Sequence, residues 1–319
     1  MDAKQLILDA SRITVVGHTS PDGDVIGSTL GLAFALEKAG KQCTLVSPDP
    51  VPASFAFLPG VDRIAHGPVD LEHADLIIVL DASDTKRLGA VYENNLPLFH
   101  AVPVLNIDHH VTNCFSATVV MKDPAAAAAA EQVALLLEEM EFPLDPIVAT
   151  CLMTGLVSDT QCFRTPSTSA RSLAVAARLL QAGAPLAQIV NWLYNTHPLP
   201  KLVLWGKVLS GIRLADKIVW GHVDLAMLEE SRATSEETDG LIDLLAGVRS
   251  AEVAAIFKET PGQMVKVSLR STGSMDVARL ASHFGGGGHV KAAGFSLPGL
   301  LPEAETRVLD FLSRTLAEN

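Results

Sequence analysis

Six side chains able to bind a divalent metal stand where short apolar runs end. His18, Asp22 and Asp24 lie together in the stretch His18-Thr-Ser-Pro-Asp-Gly-Asp24, directly after the apolar run from Arg12 to Gly17. Gly23 lets this loop curl, so that both carboxylates can point at a common region. One imidazole with two carboxylates suits Mn²⁺, Zn²⁺ or Fe²⁺, whereas an all-oxygen set favours Mg²⁺ or Ca²⁺. The same residues also read as a polar turn in which Asp22 caps the next helix. Asp81 follows Leu76–Leu80 directly; by itself it reads equally as a loop entry. Asp108-His109-His110 follows Pro103–Ile107, and its adjacent histidines project in different directions, one toward a metal and one toward substrate. Asp159, in Ser158-Asp159-Thr160, ends an apolar segment that reads as a helix. A helix C-terminus disfavours an anion, so Asp159 needs a compensating cation, which a metal would supply. Two histidines and four aspartates of this kind can hold two divalent ions about 4 Å apart with a carboxylate shared between them, an arrangement that activates water for hydrolysis.

Such ligands converge only if the intervening elements bring them together. The first half alternates β-rich runs with helical segments. Strands are predicted at Arg12–Gly17, Gln42–Ser47, Asp75–Leu80, Val102–Ile107 and Ala117–Met121, and helices through Lys38 and over Ala125–Met140, Pro146–Ser158 and Thr168–Leu180. That alternation predicts βαβ units and a mostly parallel sheet covered on both faces. Ligands of such sheets sit beyond the carboxyl ends of the strands, where the six residues fall. From Ile218 the character changes. Ile218–Leu225, Val253–Lys258, Val265–Arg270 and Ala292–Leu297 alternate like strands of a mixed sheet, with helices near Asp239–Leu245, Met275–His283 and the C-terminus. The fold class is therefore α/β: a parallel-sheet domain over residues 1–190, a helical linker over 191–214, and a smaller mixed-sheet α/β domain over 215–319, with substrate expected in the cleft between them.

Composition narrows the partners. The chain has 319 residues, 48% hydrophobic and 19% charged, which is globular and not disordered. Its net charge of −12 and the lack of any Lys/Arg run argue against a long polyanion as substrate and for a small one, met by metals and a few placed cations. No apolar run is long enough to span a bilayer, and the N-terminus has no signal-peptide pattern. Cys43, Cys114, Cys151 and Cys162 show no CxxC spacing and read as reduced thiols, so the expected location is the cytoplasm, with no membrane partner.

Taken in order, GHTSPDGDVIGS, VLDASD, NIDHHVTN and TGLVSDT resemble the signature of the DHH phosphoesterase superfamily. The stretch Gly285-Gly-Gly-Gly-His289-Val-Lys-Ala-Ala-Gly294-Phe resembles the glycine-rich motif of the DHHA1 domain that follows it in one subfamily. Length, motif order and both domains are similar to the nanoRNase/pAp phosphatase group, the bifunctional oligoribonucleases. The resemblance implies His18 and Asp22 on one metal, Asp24, His109 and Asp159 on the other, and Asp81 bridging. It places His110 on the scissile phosphate. Arg164 matches a phosphate-contacting position, although Gln161 stands where the family carries glycine. A polyalanine run replaces a segment that often carries Ser or Thr before Glu131, and Glu131 is not taken as a ligand.

In the second domain, glycines before His289 leave backbone N–H groups free to approach phosphate or base, although such loops are also common as plain turns. Gly286, Gly287, Gly288 and His289 are the candidate substrate contacts, with Arg270 a phosphate anchor by family resemblance. The implied activity is hydrolysis of short oligoribonucleotides to 5′-mononucleotides and of 3′-phosphoadenosine 5′-phosphate (pAp) to AMP, with two divalent ions, Mn²⁺ foremost and Mg²⁺ as the alternative. A linear- or cyclic-dinucleotide phosphodiesterase is the nearest rival. A family II inorganic pyrophosphatase shares the metal motifs but lacks the GGGGH pattern. A metal-dependent nucleotide-binding protein without turnover is the rival from another class. Oligomeric state stays open, with a homodimer among the options.

Overall fold

The solid apolar runs of the first half become strands buried on both faces. In the computed structural model, which describes residues 2–69, 71 and 73–317, β1 (Arg12–Val16), β2 (Gln42–Ser47), β3 (Ala65–His66), β4 (Leu76–Leu80), β5 (Val104–Asp108) and β6 (Val119–Lys122) form one sheet. All its pairings are parallel, in the order β3-β2-β1-β4-β5-β6. Every residue of β4 and β5 is buried. A parallel sheet needs crossovers, and here helices cover both faces. The helices are α1 (Ala3–Asp9), α2 (Gly23–Lys38), α3 (Gly89–Asn94), α4 (Leu96–Ala101), α5 (Ala129–Glu139), α6 (Pro146–Asp159), α7 (Ala170–Gln181) and α8 (Leu186–Val190). One face packs Ile13, Val15 and Ile78 against α2, α5 and α6; the other packs Val16, Ile77 and Val79 against α3 and α4. Each such buried aliphatic side chain contributes roughly 1.5–3 kcal/mol.

The strand order reverses at β1, with β2 on one side and β4 on the other. Crossovers leave in opposite directions there and open a crevice at the carboxyl ends of the strands. His18 follows β1 and Asp81 follows β4, so both stand at that opening.

Helices α2 and α6 cross almost backbone to backbone, and glycine is the reason. A Cβ at Gly27 would strike the carbonyl oxygen of Cys151, and one at Gly155 would lie 2.9 Å from Oδ1 of Asp24 and 2.7 Å from Cβ of Ala130. This contact brings the start of α2, with Asp22 and Asp24, beside the end of α6, with Asp159.

The chain divides into two compact units, Met1–Thr196 and His197–Asn319. The stretch 191–214 holds a π turn (Asn191–Asn195), α9 (Leu199–Ser210) and the start of β7 (Arg213–Ala215). The second unit continues with β8 (Ile218–Val223), α10 (Leu225–Ser231), α11 (Leu241–Ala246), β9 (Val253–Thr260), β10 (Met264–Ser271), α12 (Val277–His283), β11 (Gly287–His289), β12 (Ala292–Pro298) and α13 (Leu301–Ala317). Its sheet runs β11-β12-β10-β9-β8-β7, antiparallel except for β8 with β9. One face carries α12 and α13, the other α9, α10 and α11.

Three expected elements are corrected. The strand read over Ile218–Leu225 stops at Val223, because the Asp224 side chain accepts from Met227 N and starts α10. The helix read from Ala125 begins only at Ala129, since the alanines before it carry no capping group of their own. The glycine-rich stretch is an edge strand, β11, paired antiparallel with β12, and not a plain turn.

Candidate metal centre

Each strand end delivers its residue to one place. Asp81, at φ 53°, turns the chain sharply off β4. Its Oδ2 lies 3.2 Å from His18 Nε2, and its Oδ1 lies 3.4 Å from His109 Nε2. The two oxygens of one carboxylate thus face opposite sides of the site. Three groups have ligand atoms within 4.8 Å of one another: His18, Asp22 and Asp81; Asp24, His109 and Asp159; and, sharing members with both, Asp81, His109 and His110. His109 Nε2 is 3.2 Å from Asp159 Oδ2 and 4.0 Å from Asp24 Oδ2. His18 Nε2 is 3.9 Å from Asp22 Oδ1. The structure therefore gathers all six residues singled out above from four chain segments.

The capping reading of Asp22 and the ligand reading are both available in this geometry. Asp22 Oδ1 accepts from Asp24 N at 3.0 Å and Val25 N at 3.2 Å, capping α2. Asp24 caps a different helix. Its oxygens accept from Ala129 N at 2.6 Å and Ala130 N at 2.9 Å, replacing the capping side chain that Ala128 lacks at the start of α5. The positive helix end holds this fully buried carboxylate in place. Glu131 is also fully buried, but it accepts from Ala127 N at 2.8 Å and from Arg171 Nε at 2.5 Å. It braces α5 against α7 and lies outside all the metal-competent groups among the described residues.

Four carboxylates in one pit repel each other. Burial, then the charges of Asp159 and Asp81, push the pKa of Asp24 well above the ordinary carboxylate range. Asp22 is half accessible yet recessed among packed groups; that recess and the Asp81 charge raise its pKa as well. Burial alone would raise Asp81, but hydrogen bonds and charges from His109 and His18 overcome it and hold Asp81 below its usual range. Burial disfavours the imidazolium of His109, yet Asp159 and Asp81 outweigh it and push its pKa up to about 12. His18 is raised in the same way: burial opposes, and the bond and charge of Asp81 prevail. The carboxylates thus stabilise the imidazolium forms of His109 and His18, which keep their protons.

The donor set fits divalent metals on one further observation. Asp81 Oδ1 is buried and has no hydrogen bond of good geometry, since His109 Nε2 and His110 Nδ1 approach it only to 3.4 and 3.5 Å; such a state costs about 1–3 kcal/mol unless something else satisfies it. A cation between the two groups would satisfy that oxygen and neutralise the others.

His110 is the more accessible of the two adjacent histidines, with its Nδ1 3.5 Å from Asp81 Oδ1. Its Nδ1 donates to Asp108 Oδ1 at 2.7 Å, and that bond, ahead of burial, raises its pKa. A third of its side chain is accessible, which suits contact with a ligand. Asp108 is completely buried and is held in turn by Asn113 Nδ2 at 2.5 Å; the same Asn113 nitrogen lies 2.8 Å from Asn106 Oδ1. Asp108, Asn113 and Asn106 are the polar residues beside His110 that the sequence left without a role. The available signal was Asn106 itself, a polar residue in the middle of an apolar strand.

Arg164 is exposed, and its Nε folds back onto Gln161 O at 2.7 Å. Gln161, Cys162 and Phe163 have φ of 46°, 61° and 61°, so Gln161 occupies the left-handed conformation that the family glycine would adopt freely. In the second unit, His289 and Arg270 are both register partners of Ala292, one from each neighbouring strand. Partners in one antiparallel rung share a face, about 10 Å apart across two strand spacings. Arg270 Nε donates to Asp243 Oδ1 at 2.8 Å. Gly286 and Gly288 approach the β12 backbone too closely for any side chain, whereas nothing lies within 4 Å of a Cβ at Gly287.

Comparison with known proteins agrees with this architecture. Residues 12–156 match the DHH family, N-terminal domain, and residues 222–318 match the DHHA1 domain. The chain is 34% identical over 95% of its length, and 90% of the relative's, to a Thermus thermophilus protein named bifunctional oligoribonuclease and PAP phosphatase. It is 26% identical to a Listeria monocytogenes cyclic-di-AMP phosphodiesterase, but spans only 48% of that protein. The crystal structure of an exopolyphosphatase-related protein from Bacteroides fragilis superposes with a TM-score of 0.90 at 26% identity, covering 98% of this chain and 96% of that one.

Proposed function

The chain belongs to the DHH family, and from that premise we propose that it is a two-metal phosphoesterase cleaving short oligoribonucleotides to 5′-mononucleotides and pAp to AMP. The observation that carries this reading is the pair of three-residue groups joined through the two oxygens of Asp81. In this assignment His18 and Asp22 hold one ion, Asp24, His109 and Asp159 the other, and Asp81 both. Mixed imidazole and carboxylate donors favour Mn²⁺ over Mg²⁺. Two such ions supply a water of lowered pKa as nucleophile and neutralise phosphoryl charge.

The remaining steps fall to the chain's own side chains. Asp108 accepts the hydrogen bond of His110 Nδ1–H and fixes the ring, leaving Nε2 to donate to the phosphoryl oxygen on which charge gathers. The same bond raises the pKa of His110 and so favours the protonated donor. Asp24 and Asp81 are buried beneath, so bulk water does not screen the charges that bind the phosphate. Arg164, Arg270, Gly286, Gly287, Gly288 and His289 are assigned to the nucleotide. The substrate class is supported by the Thermus relative's name. Free cysteines at 43, 114, 151 and 162 suit the cytoplasm. No helix among the described residues is by itself long and apolar enough to cross a membrane.

The test is a panel of pAp, a dinucleotide, a five-mer, long RNA and cyclic dinucleotides, with Mn²⁺ or Mg²⁺. Hydrolysis of pAp and the short oligomers with Mn²⁺, abolished by Asp81→Asn, is expected. Inactivity on every nucleotide would sink the assignment. Preference for a cyclic dinucleotide would favour the second reading, a dinucleotide phosphodiesterase, which the Listeria similarity supports.

A further inference from the structure

We propose that Arg87 is a phosphoryl-binding residue on the His18 side of the metal centre, an inference that rests on the phosphoesterase reading. Arg87 lies in the 3₁₀ turn Thr85–Leu88, which follows Asp81 by a few residues. The turn is fastened to the loop after β1: Thr19 N donates to the carbonyl oxygen of Arg87 at 2.7 Å. The next residues tighten the junction, since a Cβ at Gly89 would lie 3.3 Å from Cγ2 of Thr19. Arg87 is thereby pinned next to the residue that follows His18.

The guanidinium has no hydrogen bond or ion pair among the described residues, in a chain of net charge −12. Asp84 Oδ1, at the start of the same turn, accepts from the backbone N–H groups of Lys86 and Arg87, at 2.8 and 3.2 Å. Four other arginines are ion-paired, Arg63 by Glu37, Arg171 by Glu131 and Asp123, Arg178 by Glu138 and Arg270 by Asp243, and the rest are exposed, whereas Arg87 is half-buried without an ion pair. A half-buried guanidinium offers five donors in a planar fork, and partly desolvated donors of this kind normally find acceptors. Beside a metal centre the matching acceptor is a phosphoryl group, whose oxygens take the fork bidentately. No carboxylate among the described residues fills that role, and a phosphoryl group of the substrate does.

The experiment titrates inorganic phosphate into the Mn²⁺-loaded protein by calorimetry and, in parallel, measures pAp turnover. Arg87→Ala should weaken phosphate binding by about 10- to 100-fold, the range for losing a hydrogen-bonded charge. It should lower kcat/KM for pAp at least as much, with manganese content and Tm unchanged. Arg87→Lys keeps the charge but not the fork and should fall between the two. Phosphate affinity within twofold of wild type in Arg87→Ala overturns the inference, as does a variant whose losses track lost manganese. The phosphate titration reads Arg87 whether or not any nucleotide turns over, so it fails separately from the assignment of substrate.

Discussion

Removing the metals should invert the pH dependence of stability. In the ion-free protein, His109 has its pKa raised to about 12, and His18 and His110 are also raised. A group raised on folding stabilises fully below its unfolded pKa and loses that contribution as pH climbs toward the folded value. For His109 the window runs from about 6.5, the unfolded value, up to about 12. Between pH 7 and 9 the folded chain therefore holds at least one proton that the unfolded chain has released. Each such proton tilts stability by about 1.4 kcal/mol per pH unit. Asp22 and Asp24 are raised too, and lose stability as pH rises above the unfolded carboxylate value. Asp81 is lowered; it stabilises above that value and weakens only in strong acid, outside this range. Chelator-treated protein should thus lose at least about 1.4 kcal/mol per pH unit from pH 7 to 9 in urea melts. Binding a metal displaces the same protons, so Mn²⁺ affinity should rise about tenfold per pH unit per proton released. Urea melts of apo and Mn²⁺-loaded protein, with proton release followed by calorimetry in buffers of different ionisation enthalpy, measure both. Apo stability that rises with pH, or Mn²⁺ binding without proton release, would refute the account.

Asn113→Ala should free Asp108 and loosen His110, cutting kcat by about 10-fold or more while KM and manganese content stay near wild type; Asn113→Asp should not rescue it, because a second carboxylate repels Asp108. Gly155→Ala forces a methyl group to within 2.9 Å of Asp24 Oδ1. That crowding should cost about 1–3 kcal/mol in thermal melts and weaken Mn²⁺ binding, and a variant with intact stability and affinity would show that the α2–α6 contact does not set the site. Gln161→Gly should relieve the left-handed backbone and raise stability by about 0.5–1 kcal/mol, the strain relieved less the entropy that glycine costs; a destabilised variant would mean that the Gln161 side chain makes up for its conformation.

The sequence by itself placed the candidate metal ligands, because they stand where apolar runs end and periodicity shows where strands and helices stop; the choice of His109 over His110 came from the family resemblance. It also carried the alternation that makes the first sheet parallel, since buried runs joined by helices admit little else. Strand order was beyond it. That β1 lies between β2 and β4, placing His18 beside Asp81, depends on which strands pair, a choice made by contacts distant along the chain. The caps likewise escaped. Ala128 gives no local sign of a helix start, and the group that caps α5 is Asp24, more than a hundred residues earlier. The same physics hid Asp108: a carboxylate next to two histidines looks like a ligand, and only its bonds to His110 and Asn113 make it a brace. Local pattern reports what a segment can form. Which buried polar atoms meet, and which, like Asp81 Oδ1, are left waiting for a cation, is decided when the segments pack.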